Sequence, residues 1–498
     1  MKKNTIALFY PKTEKESVNK NLPFAILKLG SELKGEGYDL AIIDERFEEQ
    51  YQHRLSEVLD KAICFGVSVM TGYQIQSGLS ASEFVRKINK NVPIVWGGWH
   101  PSILPRETLE NANIDIVVMG QGERTLCELA GTLKKGGPLE GIDGLSYKKG
   151  GSIVINKRRE PQDVNTLHPL RFDVLDIERY IFRSALGNRS IFWNSSQGCP
   201  YGCGFCSTPA VYHRRWTGLK AETLIGQLST LVDKYKIDSV TFAEDNFFVD
   251  IKRVETLCEL LIINKIKLKW ASDVRVDKII HFSDDMMRLL KESGCVKLYV
   301  GAESGDQDVL TLINKMIRVE DTYKAAEMLD KYKIISEFFV IVGFPNAPKK
   351  DLAKTLELIK GIKSRYPDHQ FSTYIYTPYP GTPLLGLAVE HGLKIPDKLE
   401  DWVRWNILSI NTPWVDEKYL DTVNMYSKCY YPLAFPSPAL KKKFNENLLG
   451  LVYLILHKLS LFRVNNNFFI FPVEWKLVKA FNGIRTRYGI FKEMESFR

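Results

Sequence analysis

In this chain of 498 residues, the most informative stretch reads Gly198-Cys199-Pro200-Tyr201-Gly202-Cys203-Gly204-Phe205-Cys206. Its three cysteines have the spacing C-x3-C-x2-C, and an apolar, strand-like segment at 191–193 precedes them. Three thiolates this close together suit a soft metal ion or an iron–sulfur cluster. Because the loop supplies only three of them, one coordination position stays open for a substrate or cofactor.

Two simpler explanations of this loop are a structural zinc site, with His213 as the fourth ligand, and ordinary packing. Zinc sites usually combine two C-x2-C or C-x2-H units, whereas this loop contains one such unit. The spacing therefore favours an iron–sulfur cluster, with zinc and packing as the alternatives.

The composition is that of an ordinary globular protein, with 45% hydrophobic and 26% charged residues. It excludes a mainly disordered chain, a collagen-like repeat and a disulfide-stapled miniprotein. A cysteine cluster in a chain without a recognisable signal peptide indicates metal binding in a reducing compartment, so we expect a cytoplasmic protein. The other five cysteines lie in apolar stretches and are expected to pack as small hydrophobes: Cys64, Cys127, Cys258, Cys295 and Cys429.

The formal net charge of +9 is a mild bias for this length, far from that of a dedicated nucleic-acid-binding protein. Basic residues are spread along the chain, apart from a small patch at 441–443. We therefore expect no nucleic-acid partner. An RNA-binding module with an iron–sulfur cluster is the alternative, which salt-dependent RNA binding would support.

Apolar runs alternate with amphipathic segments over residues 1–140, which predicts an α/β, doubly wound, Rossmann-like domain. We expect strands at 6–10, 39–43, 64–70, 93–96 and 114–119, and helices at 23–34, 53–61 and 78–88. Glycines follow the last three strands, where such sheets bind ligands, although ordinary turns are the alternative. Residues 141–189 are expected to form a hairpin and a linker.

A second alternating pattern over residues 190–395 predicts a partial (β/α)6 barrel, in which chemistry belongs to loops at the carboxyl ends of the strands. The strand candidates are 191–194, 239–243, 269–271, 297–300, 335–342 and 372–376, with helices that include 221–235, 306–315 and 321–332. The cysteine loop follows the first of these strands.

Residues 396–498 form an aromatic, lysine-rich extension, for which we expect mainly helices and a role in substrate binding or packing. Its most apolar run, 448–456, is shorter than the about 18 residues of a membrane span. A buried helix is the favoured interpretation. The alternative is an interfacial helix with basic flanks that gives peripheral contact with the inner membrane face.

With Phe205 in the aromatic position of C-x3-C-x-aromatic-C, the cysteine loop resembles that of the radical S-adenosylmethionine (SAM) enzymes. The resemblance implies that Cys199, Cys203 and Cys206 bind a [4Fe-4S] cluster whose open iron is chelated by the amino and carboxylate groups of SAM. Electron transfer from the reduced cluster then cleaves SAM to a 5′-deoxyadenosyl radical. The protein supplies geometry and excludes competing reactions.

Four downstream motifs resemble SAM-binding motifs of the same family: an acidic loop, a G-x-E-S segment, a glycine-proline turn and a P-x-P-G-T-P loop. Together with Phe205, the implied SAM contacts are Glu244, Asp245, Glu303, Ser304, Gly343 and Pro378. Helix capping is the alternative role for Asp245. An ion pair with a base such as Arg275 is the alternative for Glu303, and Lys315 matches the family pattern without an assigned role.

The N-terminal domain resembles the cobalamin-binding domain of the B12-dependent branch of this family. Gly97-Gly98-Trp99-His100 and Gly120-Gln121-Gly122-Glu123 stand where that branch usually has G-G-x-H and G-E-G-E. The D-x-H-x-x-G motif that supplies a histidine to cobalt is absent from the sequence, so cobalt would have no protein imidazole ligand. A domain that no longer binds cobalamin is the alternative. The implied cobalamin contacts are Thr71, Gly97, Gly98, His100, Gly120, Gly122 and Glu123.

Two cofactor domains in tandem predict a cobalamin-dependent radical methyltransferase that acts on an unactivated carbon. The alternative is a radical oxidoreductase or cyclase without methyl transfer. A methylthiotransferase is disfavoured because only Cys64 and Cys127 precede the cluster motif. We expect a small-molecule or lipid-like substrate and an external electron donor such as flavodoxin or ferredoxin. No catalytic residue is assigned.

Overall fold

The computed structural model describes residues 3–14, 21–346, 348–405, 412–436, 450–466 and 468–488. The chain divides into two compact units. The first consists of Met1–Arg183, Asn188–Leu260 and Thr377–Asn411, and the second of Ser184–Gly187, Leu261–Tyr376 and Thr412–Arg498. The basic patch at 441–443 and the first two residues of the apolar run at 448–456 lie outside the described residues.

The first unit begins with an α/β domain built on one central sheet. The strands described for this sheet are β1 (Thr5–Tyr10), β2 (Asp39–Asp44), β3 (Ala62–Ser68), β4 (Ile94–Gly97), β5 (Ile116–Val118), β6 (Leu145–Lys149) and β7 (Ser152–Ile155). Their order is β2-β1-β3-β4-β5-β6-β7. Neighbours from β2 to β5 are parallel, and the hairpin β6–β7 adds to the β5 edge in antiparallel pairing.

Helices cover both faces of this sheet, which explains why β3 is buried along almost its whole length. The strand order reverses between β1 and β3, the place where open α/β sheets bind ligands at the carboxyl ends of the strands. The helices are α1 (Phe24–Gly35), α2 (Tyr51–Val58), α3 (Tyr73–Ile88), α4 (Trp99–Ile103), α5 (Pro105–Glu110) and α6 (Glu123–Lys135).

The rest of the first unit carries the cysteine loop. Its elements are β8 (Ser190–Trp193), β9 (Ser196–Gly198), α7 (Thr208–Tyr212), β10 (Trp216–Gly218), α8 (Ala221–Tyr235), β11 (Ser239–Phe242) and most of α9 (Ile251–Ile263). Strands β8 and β11 pair in parallel, whereas β9 and β10 form a short antiparallel pair that flanks the cysteine loop.

The second unit contains four consecutive parallel strands among its described residues. These are β12 (Lys269–Arg275), β13 (Cys295–Glu303), β14 (Ile335–Val342) and β15 (Gln370–Ile375), with α10 (Val276–Ile279), α11 (Asp284–Glu292), α12 (Gln307–Leu312), α13 (Val319–Lys331) and α14 (Pro348–Arg365) between them. The next helix, α15 (Leu385–Glu390), belongs to the first unit.

The predicted strands are confirmed, with ends shifted by a few residues. The helix expected at 78–88 begins at Tyr73 because the turn at Gly72, with φ of +112°, allows an earlier start. The helix expected at 306–315 is shorter, since Asp306 caps its N-terminus by accepting a hydrogen bond from Asp308 N, and Asn314 adopts a positive φ.

The C-terminal extension is helical, as predicted, and comprises α16 (Glu417–Met425), a π-helical turn (Tyr426–Tyr430), α17 (Tyr431–Ala434), α18 (Gly450–Asn466) and α19 (Val473–Tyr488). The interpretation of its apolar run as a buried helix is wrong. Of the run, Leu451, Val452, Leu454 and Ile455 are exposed, because α18 packs through a different and narrower face. Among the described residues, we find no helix long and apolar enough to cross a bilayer.

Candidate active site

The cysteine loop is fixed at its base by a glycine that no other residue could replace without strain. Gly198 has φ of +79°, and a Cβ there would collide with Arg215 O across the β9–β10 pair. The loop is held at a second point, where Leu384 N donates a 3.0 Å hydrogen bond to Gly204 O. The three cysteines therefore lie in one short loop whose backbone is constrained at Gly198 and at Gly204.

The donor set of this loop fits an iron–sulfur cluster better than a zinc ion. Within the described part of the chain, only Glu32, Glu36 and His168 bring three possible ligand atoms within 4.8 Å of one another. At least one pair of the cysteine sulfurs is thus more than 4.8 Å apart, which is wider than the edge of a tetrahedral zinc site, about 3.8 Å for Zn–S bonds of about 2.3 Å. His213, the candidate fourth zinc ligand, is exposed at the end of α7.

Burial disfavours the thiolate form of two cysteines in the loop, Cys199 and Cys206. It raises the pKa of the Cys199 thiol, and it raises that of Cys206 to about 11. Because metal ions bind the thiolate form, these thiols would lose their protons on binding the cluster. The amide of Asn246 donates to Cys199 Sγ at 3.7 Å, a contact that stabilises negative charge on the sulfur.

The two predicted acids of the first unit both hold the cysteine loop. Glu244 Oε1 accepts hydrogen bonds from Ser195 N at 2.5 Å and Ser195 Oγ at 2.6 Å, and Glu244 also accepts from Ser196 Oγ. Asp245 accepts from Gly198 N at 2.9 Å and from Thr208 Oγ1 at 3.2 Å. Asp245 therefore binds the loop and not the N-terminus of α9, which begins at Ile251.

A half-buried cation that the sequence reasoning missed lies beside these acids. Lys28, on α1, donates a 2.5 Å hydrogen bond to Asn194 Oδ1 at the end of β8. Burial lowers the pKa of Lys28, while the negative charges of Glu123, Glu244 and Asp245 act in the opposite direction. The signal available in the sequence was a lysine inside the otherwise apolar run 25–29.

The expected SAM contacts of the second unit form two buried clusters of their own. Glu303, with φ of +65°, pairs with Lys315 Nζ at 2.6 Å, so its partner is Lys315 and not Arg275. A buried acid in this strained conformation is typical of functional sites. Ser304 Oγ donates to Asp351 Oδ1 at 2.7 Å, and Gly343 N donates to Asp351 Oδ2 at 3.1 Å.

Asp351 therefore joins two of the predicted SAM-binding segments, and the sequence reasoning did not identify it. Burial raises the pKa of Asp351 to about 6. In the first unit, Pro378 O accepts a 2.6 Å hydrogen bond from Trp405 Nε1, and Phe205 lies in the cysteine loop itself. The hydrogen bond from Trp405 ties the loop that contains Pro378 to the segment at 402–405.

A large cleft lies at the carboxyl ends of β1, β3, β4 and β5, as predicted for an open α/β sheet. It holds about 1090 Å³ of space, part of it open to solvent. Its lining includes five of the seven predicted cobalamin contacts, namely Gly97, Gly98, Gly120, Gly122 and Glu123. Gly98 has φ of +97°, and a Cβ there would lie 2.6 Å from Val69 O.

The other two predicted contacts lie outside this lining. His100 is fully buried, and its Nδ1 lies 3.1 Å from Thr71 Oγ1. Its Nε2 lies 3.7 Å from a Glu107 oxygen, and its ring packs against Trp402. No histidine is among the described residues that line the cleft.

The same cleft is also lined by Gln197, Val211 and Tyr212, which come from the segments on either side of the cysteine loop. Gln121 Nε2 donates to Gln197 Oε1 at 2.8 Å, and Gln197 Nε2 donates to Glu123 Oε1 at 3.2 Å. Gln121, the departure from the family pattern, can donate this bond where a carboxylate could not. A buried hydrogen-bond chain thus joins the predicted cobalamin loop to the start of the cluster loop.

Comparison with known families agrees with this geometry. The model of the Radical SAM superfamily matches residues 193–359, and that of the B12 binding domain matches residues 18–130. The chain belongs to the cobalamin-binding radical SAM enzymes, whose cofactors are a [4Fe-4S] cluster, SAM and cobalamin.

Individual relatives are similar over most of the chain. Uncharacterized methyltransferase PH0819 of Pyrococcus horikoshii is 30% identical over 79% of this chain and 85% of its own. The anaerobic magnesium-protoporphyrin IX monomethyl ester cyclase of Rubrivivax gelatinosus is 23% identical, over 78% of this chain and 69% of its own.

The fold is shared with a solved structure of this class. The cobalamin-dependent SAM radical enzyme OxsB, solved with aqua-cobalamin and SAM bound, matches with a TM-score of 0.70 at 18% identity. The match covers 92% of this chain and 72% of that chain. The predicted fold class is therefore confirmed: a Rossmann-like cobalamin-binding domain, a partial (β/α)6 radical SAM barrel and a helical extension.

Proposed function

We propose that the protein is a cobalamin-dependent radical methyltransferase that methylates an unactivated carbon. One observation carries the proposal. The cleft formed by the glycines after β4 and β5 is also lined by Gln197, Val211 and Tyr212, which flank the cluster-binding cysteines. A methyl carrier in this cleft would face the segment that holds the source of the radical.

The chain's residues have distinct tasks in this proposal. When bound, the cluster and SAM supply a 5′-deoxyadenosyl radical, and cobalamin supplies a methyl group. Cys199, Cys203 and Cys206 hold the cluster, while Glu244 and Asp245 keep their loop in place through hydrogen bonds to its backbone and hydroxyl groups.

Glycines at the strand ends give the corrin ring room to approach the backbone, since side chains there would fill the cleft. The aromatic side chains of Tyr10, Trp99 and Tyr212 line its walls, and a corrin ring bound against them would displace water from the cleft. A dry site protects a carbon radical from side reactions.

The substrate that this proposal requires is a small molecule. We further propose that this substrate is lipid-like and that an external electron donor, such as flavodoxin or ferredoxin, reduces the cluster. The protein is proposed to be cytoplasmic. Its domains are proposed to end at residues 140, 189 and 395. The exposed apolar surface of the C-terminal extension supports a hydrophobic substrate.

A radical cyclase is the second candidate, and the similarity to the Rubrivivax gelatinosus cyclase supports it. The two candidates differ in what happens to SAM. A methyltransferase converts part of its SAM to S-adenosylhomocysteine when cobalamin is present, whereas a cyclase that transfers no methyl group forms only 5′-deoxyadenosine.

The test is therefore a product analysis. The protein is reconstituted with iron and sulfide, with or without cobalamin, and incubated with SAM and a chemical reductant. We expect S-adenosylhomocysteine to form only in the sample with cobalamin. Its absence from both samples, with 5′-deoxyadenosine in both, would favour the cyclase.

A further inference from the structure

Helix α18 has an inverted distribution of polar and apolar side chains. The face that packs on the extension contains Tyr453, Ser460 and Val464, and Ser460 is fully buried. The opposite faces expose large apolar side chains, and Leu451 is 70% exposed. A helix that buries serine and exposes leucine has a second surface that normally meets an apolar environment.

The exposed apolar surface continues beyond α18 into the turn and the start of α19. Phe471 is 78% and Leu477 62% exposed. We call these side chains the tail surface; it consists of Leu451, Val452, Leu454, Ile455, Leu459, Phe462, Phe468, Ile470, Phe471, Val473 and Leu477. They make up about half of the large exposed hydrophobic residues described in the whole chain.

The charge around the tail surface is positive. Lys458 and Lys476 are exposed on the two helices, and Lys479 pairs with Asp421 of α16. In the described ranges 450–466 and 468–480, the sole acidic residue is Glu474, which is buried and paired with Arg463 at 2.9 Å. No carboxylate within these ranges therefore offsets the exposed lysines.

We propose that the tail surface binds the interfacial region of an anionic lipid bilayer. Apolar side chains enter the boundary between headgroups and acyl chains, and the flanking lysines contact anionic headgroups, as in other interfacial helices. A second copy of this chain would bring the same positive charges together, so charge complementarity favours lipid over self-association.

Flotation of the full chain, reconstituted with its cofactors, on two kinds of vesicle tests this proposal. One contains phosphatidylcholine and phosphatidylglycerol in equal parts, and the other contains phosphatidylcholine alone. We expect binding to the anionic vesicles, at least tenfold weaker binding to the neutral ones, and loss of binding at high salt.

Two variants separate the apolar and the charged parts of the surface. The double substitution Ile455→Asp and Phe462→Asp should reduce binding to anionic vesicles at least tenfold. Lys458→Glu with Lys476→Glu should reduce it severalfold. Ile263→Asp is the matched control, because Ile263 is 72% exposed on α9, outside the tail surface, and its change should leave binding as in the wild type.

Folding of each variant is checked by circular dichroism and by iron content. Wild-type protein that floats with neither vesicle, or binding that the double aspartate substitution leaves unchanged, would overturn the proposal. A wild-type dimer that the double substitution converts to monomer would also overturn it, and would show that a second copy covers the tail surface.

Discussion

The side-chain amide of Gln121 donates a 2.8 Å hydrogen bond to Gln197 Oε1 in the buried interior of the first unit. Gln121 belongs to the loop after β5 that lines the cleft proposed for cobalamin, and Gln197 lies two residues before Cys199. Gln197 in turn donates to Glu123. The two loops proposed to bind the cofactors are therefore joined by direct hydrogen bonds. We expect a substitution in one loop to alter the structure of the other.

We expect Gln121→Leu to lower the free energy of unfolding by about 1–3 kcal/mol, because the substitution leaves buried polar groups of Gln197 and of the backbone at 162 unpaired. Since the same loop lines the cleft, cobalamin affinity should fall as well. Denaturant titration and absorbance titration with cobalamin measure the two effects. Gln162→Ala is the control, as its own side chain makes only an exposed contact with Glu160 O.

Replacing Cys199, Cys203 or Cys206 individually by serine should abolish cluster binding and the reductive cleavage of SAM. In the proposed site these three thiolates hold the cluster, and a serine oxygen is a poor ligand for it. Iron content, electron paramagnetic resonance of the reduced protein and 5′-deoxyadenosine formation provide the measurements. Cys127 is half-buried in α6, outside the cysteine loop. Cys127→Ala should therefore leave the iron content, the spectrum and the formation of 5′-deoxyadenosine unchanged.

Lys28→Met should lower the free energy of unfolding by about 1.5–3 kcal/mol, because it removes the charge-assisted hydrogen bond from Lys28 Nζ to Asn194 Oδ1. It also removes the cation that attracts the carboxylates of Glu123, Glu244 and Asp245. Denaturant titration measures the change. Lys28→Arg keeps the charge and should restore much of the stability; equal stabilities in all three proteins would refute this role.

Asp351 should make stability decrease as the pH rises. Burial raises the folded-state pKa of Asp351 to about 6 from an ordinary value near 4, so the folded state holds its proton more tightly than the unfolded chain. Its contribution is fully present below about pH 4 and is lost as the pH rises through about 6, at a cost of up to about 3 kcal/mol. Asp351→Asn should flatten this part of the stability profile between about pH 4 and about pH 6 in chemical denaturation.

Much of the fold and of the cofactor chemistry was accessible from the sequence because both are local patterns. Alternation of apolar runs placed the strands, and the spacing of three cysteines in one loop defined the cluster motif. The glycines after β4 and β5 pointed to the cleft because strand ends meet at one edge of a parallel sheet.

The contacts that support the site were not accessible in this way, because they join residues far apart in the chain. Lys28 and Asn194 are 166 positions apart, and Gln121 and Gln197 are 76 apart. Likewise, His100 stands in the position of a family motif, yet its contacts with Thr71 and Trp402 place it beside the cleft and not in its lining. The burial of α18 was predicted wrongly because an apolar run in the sequence does not show which part of the protein, if any, covers it.

In the proposed function, one cleft brings the methyl carrier to the radical source, and this role of the cleft can be tested with a single substitution. It is tested most directly by Gly97→Leu, which adds a side chain to the cleft lining without contact to the cysteine loop, with Gly226→Leu in an open position of α8 as the control. Both proteins and the wild type are loaded with cluster and offered cobalamin, SAM and reductant, and S-adenosylhomocysteine and 5′-deoxyadenosine are quantified together.

We expect Gly97→Leu to lose cobalamin binding and S-adenosylhomocysteine formation while it keeps its iron and still forms 5′-deoxyadenosine, and we expect the control to behave as the wild type. Formation of S-adenosylhomocysteine at the wild-type rate by Gly97→Leu, or its absence from the cobalamin-loaded wild type, would refute this role of the cleft.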